Sequence, residues 1–140
     1  MSIVGFDHVA IPVADPRAMM RFYSALGFKA PVYEEWATND PLAFSVQFGE
    51  SKINMHAPRA WKDPQVTLRC KRAAPGCGDF CFVWAGNVAG ILALLAEVGA
   101  KLEEGPVKRR GARRMGSAEG TSVYTRDPEG NLLEFIVYAD

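Results

Sequence analysis

Residues 121–138 read TSVYTRDPEGNLLEFIVY, and this stretch decides the fold prediction. Two runs rich in β-forming residues flank the tetrapeptide DPEG at residues 127–130. Proline fixes φ early in a turn, and glycine supplies the positive φ that closes it. The pattern therefore predicts a β-hairpin near the end of the chain.

The second run of this hairpin contains the first candidate site residue. Side chains alternate between the two faces of a strand, so Leu133, Phe135 and Val137 form one apolar face. Glu134 is the only charge on the opposite face. Because burial of a lone carboxylate is costly, we expect Glu134 to be paired, protonated or bound to a cation.

Size and composition predict a single globular domain over residues 1–140. Of the 140 residues, 49% are hydrophobic and 23% are charged, which is typical of such a domain. The formal net charge is zero, which argues against nucleic acid or an anionic membrane as a partner. Three cysteines form no disulfide framework, and neither a signal peptide nor a membrane-spanning apolar run is visible. We therefore expect a cytoplasmic protein.

The order of predicted elements repeats once along the chain. In each half, a strand is followed by a helix that ends at a glycine and then by three more strands. The first half has predicted strands at 3–13, 30–36, 42–48 and 53–57 and a helix at 15–26. The second half has predicted strands at 79–84, 101–107, 121–126 and 131–138 and a helix at 88–98. Module 1 covers about residues 1–60, a linker rich in Pro and Gly about 61–76, and module 2 about 77–140.

Aligning the two halves brings four polar side chains to matching strands. The two hairpin turns are 78 positions apart, and the same offset places His56 on Glu134. His8, on the first strand, falls within one residue of Asp79. Two imidazoles and a carboxylate are the donors of a divalent-metal site that keeps coordination positions open. A single strand histidine is more often a hydrogen-bonded core residue, so the metal prediction depends on the set.

Three segments resemble the vicinal oxygen chelate superfamily, which includes glyoxalase I, bleomycin-resistance proteins, fosfomycin-modifying enzymes and extradiol dioxygenases. They are FDHVAIPV, a helix that ends in RFYSALGF, and SVYTRDPEGNLLEFIVY, of which DPEGNLLEF is the most specific part. The EEGPV segment before a basic, Gly-containing loop resembles a glyoxalase-domain subgroup. The resemblance implies an α+β fold, in which two tandem βαβββ modules form a curved mixed sheet around a cleft.

The resemblance also implies metal ligands on the first and last strands of each module. His8 matches the first-strand ligand and Glu134 the last-strand ligand. His56 stands where glyoxalase I usually has Glu, and Asp79 stands where His or Gln is usual. The implied ligands are therefore His8, His56 and Glu134, around one nickel, cobalt, zinc, manganese or iron(II) ion. Asp79 is left as a ligand, a proton-transfer group or a turn residue.

Further candidates lie in the second half. Five cations lie within seven residues: Lys108, Arg109, Arg110, Arg113 and Arg114. They form either a solvated surface loop or a clamp for an anionic substrate, for which Arg109, Arg110 and Arg113 are the candidates. Ser122 is a candidate substrate contact, and Tyr124 a candidate donor to an oxyanion or a sheet-packing residue. Cys77 and Cys81 lack the spacing of a zinc pair and are predicted to be buried thiols.

The leading functional prediction is a metal-dependent enzyme, a glyoxalase-like lyase or isomerase. Its small-molecule substrate would chelate the ion through two neighbouring oxygens. One alternative is a binding protein of the bleomycin-resistance type, which sequesters a drug or metabolite without turnover. Another is a ring-cleaving dioxygenase, which an iron(II) ion would favour. The resemblance further implies a homodimer.

Overall fold

The computed structural model describes residues 2–139. The chain divides into two units, Met1–Cys77 and Gly78–Asp140. The strands are β1 (His8–Pro12), β2 (Ala43–Phe48), β3 (Ser51–His56), β4 (Asp79–Val83), β5 (Glu104–Arg110), β6 (Glu119–Arg126) and β7 (Leu132–Tyr138). The helices are α1 (Pro16–Ala25), α2 (Tyr33–Trp36), α3 (Pro58–Lys62), α4 (Val88–Glu97) and α5 (Arg113–Gly116), with a 3-10 helix at Ala37–Asn39. Within residues 2–139, no helix has the length and apolar character needed to cross a bilayer.

The first unit is built on a three-stranded mixed sheet in the order β1-β3-β2. β1 is parallel to β3, and β2 is antiparallel to it. Helix α1 begins at Asp15, whose carboxylate accepts a hydrogen bond from the Ala18 amide over 3.1 Å. The core of this unit consists of fully buried side chains from α1, β2 and β3, including Met19, Tyr23, Val46, Ile53 and Met55.

The predicted strand at residues 30–36 is wrong, because this segment contains helix α2. Pro31 has no N–H to give to a strand ladder. The guanidinium of Arg17 lies 4.1 Å from the centre of the Tyr33 ring and also pairs with the carboxylate of Glu34. These contacts with α1 outweigh the β-propensity of the aromatic residues. Two boundaries also differ from the prediction, since β1 begins only at His8 and α3 enters the predicted linker.

The second unit contains a four-stranded mixed sheet in the order β4-β7-β6-β5. β4 is parallel to β7, whereas β5, β6 and β7 are antiparallel neighbours. Helix α4 is capped by Asn87, whose side chain accepts from the Gly90 amide over 2.8 Å, and it buries Ile91 and Leu95. Strand β5 extends to Arg110, so three of the five cations predicted in a loop lie in a strand, and the other two, Arg113 and Arg114, lie in α5.

The hairpin turn of the second unit is fixed by a buried polar cluster. Asp127 Oδ1 accepts from the amides of Glu129 and Asn131 over 2.9 and 3.0 Å, and its Oδ2 accepts from Asn131 Nδ2 over 2.7 Å. Asn131, which is 0% exposed, accepts in turn from the Gly78 amide over 2.7 Å. The predicted DPEG turn is therefore confirmed, and Asn131 ties it to the residue before β4.

In each sheet, the first strand of the module pairs with its last strand, and the last strand pairs with the strand that precedes it in the chain. This shared order confirms the α+β class and the pair of βαβββ modules. In the first module, the strand after the helix is reduced to one bridge between Lys29 and Gln47. The strands form two sheets, one in each unit. That residues 1–140 act as a single domain stays a prediction.

Candidate functional site

Glu134 lies in the middle of the second unit's sheet, on β7. The register places it beside Cys81 on β4 and beside Tyr124 on β6, and Tyr124 in turn lies beside Glu104 on β5. Residues paired across neighbouring strands point to the same side, so these four side chains share one face. Glu134 is half-buried among them.

Ser122 holds the Glu134 carboxylate in place. Its hydroxyl donates to Oε1 of Glu134 over 2.5 Å, and Ser122 is 0% exposed. A short hydrogen bond from a fully buried donor fixes the orientation of a charged acceptor. Ser122 has no exposed surface here, and its hydroxyl is directed to the Glu134 carboxylate. Its role as a substrate contact stays a prediction.

Tyr124 links this carboxylate to Arg109. Arg109 Nε donates to the Tyr124 hydroxyl oxygen over 3.1 Å, and its Nη2 donates to Oε1 of Glu104 over 3.4 Å. Burial raises the pKa of the Tyr124 phenol, the hydrogen bond from Arg109 lowers it, and the Glu134 carboxylate raises it, with a net increase. The phenol therefore keeps its proton at neutral pH, and its O–H lies beside the Glu134 carboxylate.

Cys81 is the neighbour of Glu134 on the other side. All three cysteines are exposed, so the prediction that Cys77 and Cys81 are buried is wrong. The atoms packed around the Cys81 thiol still desolvate it and, together with the Glu134 carboxylate, raise its pKa to about 12. Cys81 is therefore a protonated thiol at neutral pH, not an activated nucleophile.

Asp79 lies close to Glu134 without touching the network around it. It is exposed at the first position of β4, beside Leu132 of β7. Glu134 is two residues further along β7, so the two carboxylates lie diagonally on the same face, about 8 Å apart at the Cα atoms. This position leaves Asp79 open to solvent.

The other two predicted substrate contacts lie apart from Glu134. Arg110 is exposed and pairs in register with Glu119 on the side of the sheet away from Arg109. Arg113 stacks on Tyr138, with its guanidinium carbon 4.4 Å from the ring centre. Of the three predicted arginines, only Arg109 belongs to the network.

His8 opens β1 in the first unit and is exposed. Its Nδ1 lies 2.6 Å from Oδ1 of Asp7. A carboxylate on one ring nitrogen fixes the tautomer and the ring orientation, which leaves Nε2 as the nitrogen for a ligand. Metal-binding histidines have this arrangement, so His8 suits a cation.

His56 does not lie beside His8. In the parallel pair, His8 is opposite Lys52, whereas His56 is opposite Pro12 at the other end of β1. The two histidines are therefore separated by about 13 Å along the strands, at ~3.3 Å per residue. Two imidazoles that share an ion must each place a nitrogen within about 2.1 Å of it. The expected pairing of His8 with His56 is thus corrected by the strand register.

The register also corrects the alignment of the two modules. Relative to the first residue of its neighbouring strand, Asn54 occupies the place in β3 that Glu134 occupies in β7. His56 corresponds instead to Ile136. Asn54 accepts a hydrogen bond from the Ser45 hydroxyl over 2.7 Å. The sequence alignment counted residues from the hairpin turns and therefore did not match Asn54 to Glu134, because the β6–β7 turn has more residues than the β2–β3 turn.

A pocket of about 650 Å³ opens in the first unit between β1, β3 and the segment that follows α3. This is within the usual size of small-molecule sites. His8 and His56 both line it. The remaining lining residues are Val9, Ala10, Pro12, Asn54, Thr67, Leu68, Arg69, Cys70, Ala73 and Cys77.

In neither unit, across residues 2–139, do three or more His, Cys, Asp or Glu side chains converge closely enough to hold a metal ion. The chemistry of individual donors nevertheless suits a divalent ion: His8 has an oriented imidazole, and Glu134 has a fixed carboxylate. Sequence reasoning missed Glu104 and Asn54, for which the only signal is the strand register.

A family model described as the Glyoxalase/Bleomycin resistance protein/Dioxygenase superfamily matches residues 5–135. Virulence protein STM3117 of Salmonella typhimurium is 32% identical over 139 residues, which cover 99% of this chain and 87% of that protein. The glyoxalase domain-containing protein RDO1 of Mycosarcoma maydis is 32% identical over 140 residues, covering 100% of this chain and 72% of the relative.

Solved structures have the same fold. The crystal structure of STM3117 matches with a TM-score of 0.80 at 33% identity, covering 99% of this chain and 100% of that one. Lactoylglutathione lyase of Agrobacterium tumefaciens matches with a TM-score of 0.68 at 19% identity, covering 97% and 95%, which is a likeness of fold alone. With its two βαβββ modules and a family match over nearly its whole length, this chain belongs to the Glyoxalase/Bleomycin resistance protein/Dioxygenase superfamily.

Proposed function

We propose that this chain is a glyoxalase-like, metal-dependent enzyme whose small substrate presents two neighbouring oxygens. The observation that carries the proposal is the Glu134 carboxylate, held by the buried Ser122 hydroxyl over 2.5 Å and flanked by Tyr124. A polar residue that is only structural needs no such set of oriented partners on an open sheet face. Preorganised groups of this kind are how enzymes bind a reacting centre without reorganisation.

Members of this superfamily usually bind a divalent metal. Donors chemically suited to it are the oriented imidazole of His8 in the first unit and, in the second unit, the Glu134 carboxylate with the open carboxylate of Asp79 beside it. His56 was the third donor expected from the sequence, and the β1–β3 register argues against it. Such an ion would act as a Lewis acid that polarises the substrate oxygens.

The chain's own residues have distinct proposed roles around Glu134. Tyr124, whose hydroxyl oxygen is already engaged by Arg109, would donate its O–H to an oxyanion. Asp79 would hold or release the transferred proton, because it is exposed and has no hydrogen bond within the network. Arg109 would orient Tyr124 and also contact an anionic part of the substrate.

Turnover by the metal-loaded protein tests this proposal. Hemithioacetals of 1,2-dicarbonyls, 2-hydroxyketones and catechols would be assayed with nickel, cobalt, manganese, zinc and iron(II). We expect one class to react and Glu134→Gln to reduce kcat/KM by about 10²-fold or more. Glu119→Gln, which changes an exposed carboxylate on β6, should retain activity. No turnover in any class, or full activity of Glu134→Gln, would contradict the proposal.

A second candidate function is binding of a small molecule without turnover, in a homodimer of the kind common in this superfamily. The observation that favours it is the pocket of about 650 Å³ in the first unit, which contains no assembled catalytic group. A binding protein would retain its ligand affinity in the Glu134→Gln variant. Turnover by the parent, with loss of ligand affinity in the Glu134→Gln variant, would favour the enzyme.

A further inference from the structure

Two arginines of this chain are half-buried, and they differ in how their charge is satisfied. Arg109 donates to the Tyr124 hydroxyl, to the Lys108 carbonyl and to the Glu104 carboxylate. Arg69 lines the pocket of the first unit, and its guanidinium has no hydrogen-bond or ion-pair partner among residues 2–139. The guanidinium of Arg69 therefore keeps its donors for a ligand with the opposite charge.

The lining of this pocket gives the unpaired cation no internal counter-charge. None of the pocket-lining residues, all of which fall in the described part of the chain, is an Asp or a Glu. Lys71 and Arg72, next in sequence, add positive charge at the surface. Two further lining side chains have donors, the Asn54 amide and the Thr67 hydroxyl. The pocket is therefore electrostatically suited to an anion.

The rest of the lining is apolar. Val9, Ala10 and Pro12 contribute from β1, and Leu68 and Ala73 contribute from the segment that follows α3. Leu68 is 92% exposed, so its side chain is available to cover a bound molecule. A pocket with one charged anchor and apolar walls is typical of small-molecule sites, in which the polar group fixes orientation and apolar area adds affinity.

We propose that the pocket of the first unit binds a small organic anion, with its carboxylate or phosphate head on Arg69 and its apolar body against Leu68 and β1. The planar guanidinium offers two parallel N–H donors to such a head. The basic segment predicted from the sequence as the anion clamp lies in the other unit, so this site is a separate assignment. The site goes beyond the proposed enzyme, and binding alone tests it.

The test uses the chain's own thiols as reporters. Cys70 and Cys77 line the pocket, whereas Cys81 lies on β4 in the other unit. Mass spectrometry would measure the rate at which each thiol reacts with iodoacetamide in the metal-free full chain. The probes are benzoate, its neutral isostere benzamide, and inorganic phosphate, each at about 10 mM, which is suited to a fragment Kd on the order of 1 mM.

We expect benzoate, phosphate or both to slow modification of Cys70 and Cys77 by about threefold or more, with Cys81 unchanged and benzamide without effect. Protection by benzoate identifies a carboxylate head, and protection by phosphate alone identifies a phosphate head. Equal protection by benzamide, or no protection by any probe, would overturn the proposal.

Variants assign the effect to Arg69. Arg69→Met should abolish protection, and Arg69→Lys should restore part of it, because lysine keeps the charge but loses the paired donors. Arg72→Met is the matched control, since Arg72 is exposed and does not line the pocket. The unliganded thiol rates of each variant report whether the pocket is intact. Undiminished protection in a folded Arg69→Met variant would overturn the assignment.

Discussion

The two units share a strand order but treat their central polar residue differently. In the second unit, the central residue is Glu134, which is held by Ser122 and followed by Tyr124, Arg109 and Glu104 in one connected network. In the first unit, the matching residue is Asn54, with one hydrogen bond from Ser45.

The pocket of about 650 Å³ also distinguishes the two units, because its lining residues all belong to the first unit. The first unit keeps His8, His56 and Arg69 around an open volume, whereas the second unit uses its polar side chains to orient one another. The repeated βαβββ framework thus has an open pocket in one unit and a held carboxylate in the other. The predictions below test that contrast.

The largest effect is expected from the buried polar cluster of the second unit. Asn131→Ala removes a bond to the Gly78 amide and a bond to the buried Asp127 carboxylate, leaving both without that partner. The expected loss is about 2–4 kcal/mol in the free energy of unfolding, measured by urea denaturation. Asn39→Ala is the control, because Asn39 is exposed and should change stability by less than about 0.5 kcal/mol. An Asn131→Ala protein as stable as the parent would show that the cluster is not a structural lock.

Smaller losses of stability should distinguish the hydrogen bond to Glu134 from the hydrogen bond to Asn54. Ser122→Ala should lower the free energy of unfolding by about 1–2 kcal/mol, because Ser122 is fully buried and its acceptor is charged. Ser45→Ala should cost about 0.5–1 kcal/mol, because Ser45 is half-buried and the Asn54 acceptor is neutral. Equal losses in the two variants would mean that the held carboxylate is no more strongly engaged than the amide.

The reactivity of Cys81 reports on Glu134. Because burial and the Glu134 carboxylate raise the pKa of this thiol to about 12, little thiolate exists at pH 8 in the metal-free protein. Alkylation of Cys81 at pH 8 should therefore be slower in the native protein than in urea, by about tenfold or more. Glu134→Gln should lower the pKa and raise the rate only partly, since burial remains. A native rate equal to the unfolded rate would contradict the raised pKa.

Much of the fold could be predicted from local signals. The DPEG turn, the glycine stops of both long helices and the alternation in β7 each rest on residues close in sequence. The segment around α2 could not be predicted, because Tyr33 and Trp36 favour strands by propensity. Only contacts with α1, such as that of Arg17, make it helical.

The candidate site was predictable by residue type but not by position. Glu134 stood out as a lone charge on an apolar strand, whereas its contacts with Ser122 and Tyr124 on β6 were not predicted. His56 was matched to Glu134 by counting from the hairpin turns. The register between β1 and β3 places Asn54 there instead, and a register set by pairing of distant strands is absent from local pattern.

Metal titration of the tag-free, chelator-treated protein tests the central claim most directly. Binding of manganese, nickel, zinc and iron(II) would be measured by calorimetry for the parent and for His8→Ala, His56→Ala and Glu134→Gln. We expect about one ion per chain in the parent, lost when the donor that holds it is changed, in His8→Ala or in Glu134→Gln, but retained in His56→Ala. Failure of the parent to bind any of these ions, or loss of binding only in His56→Ala, would contradict it.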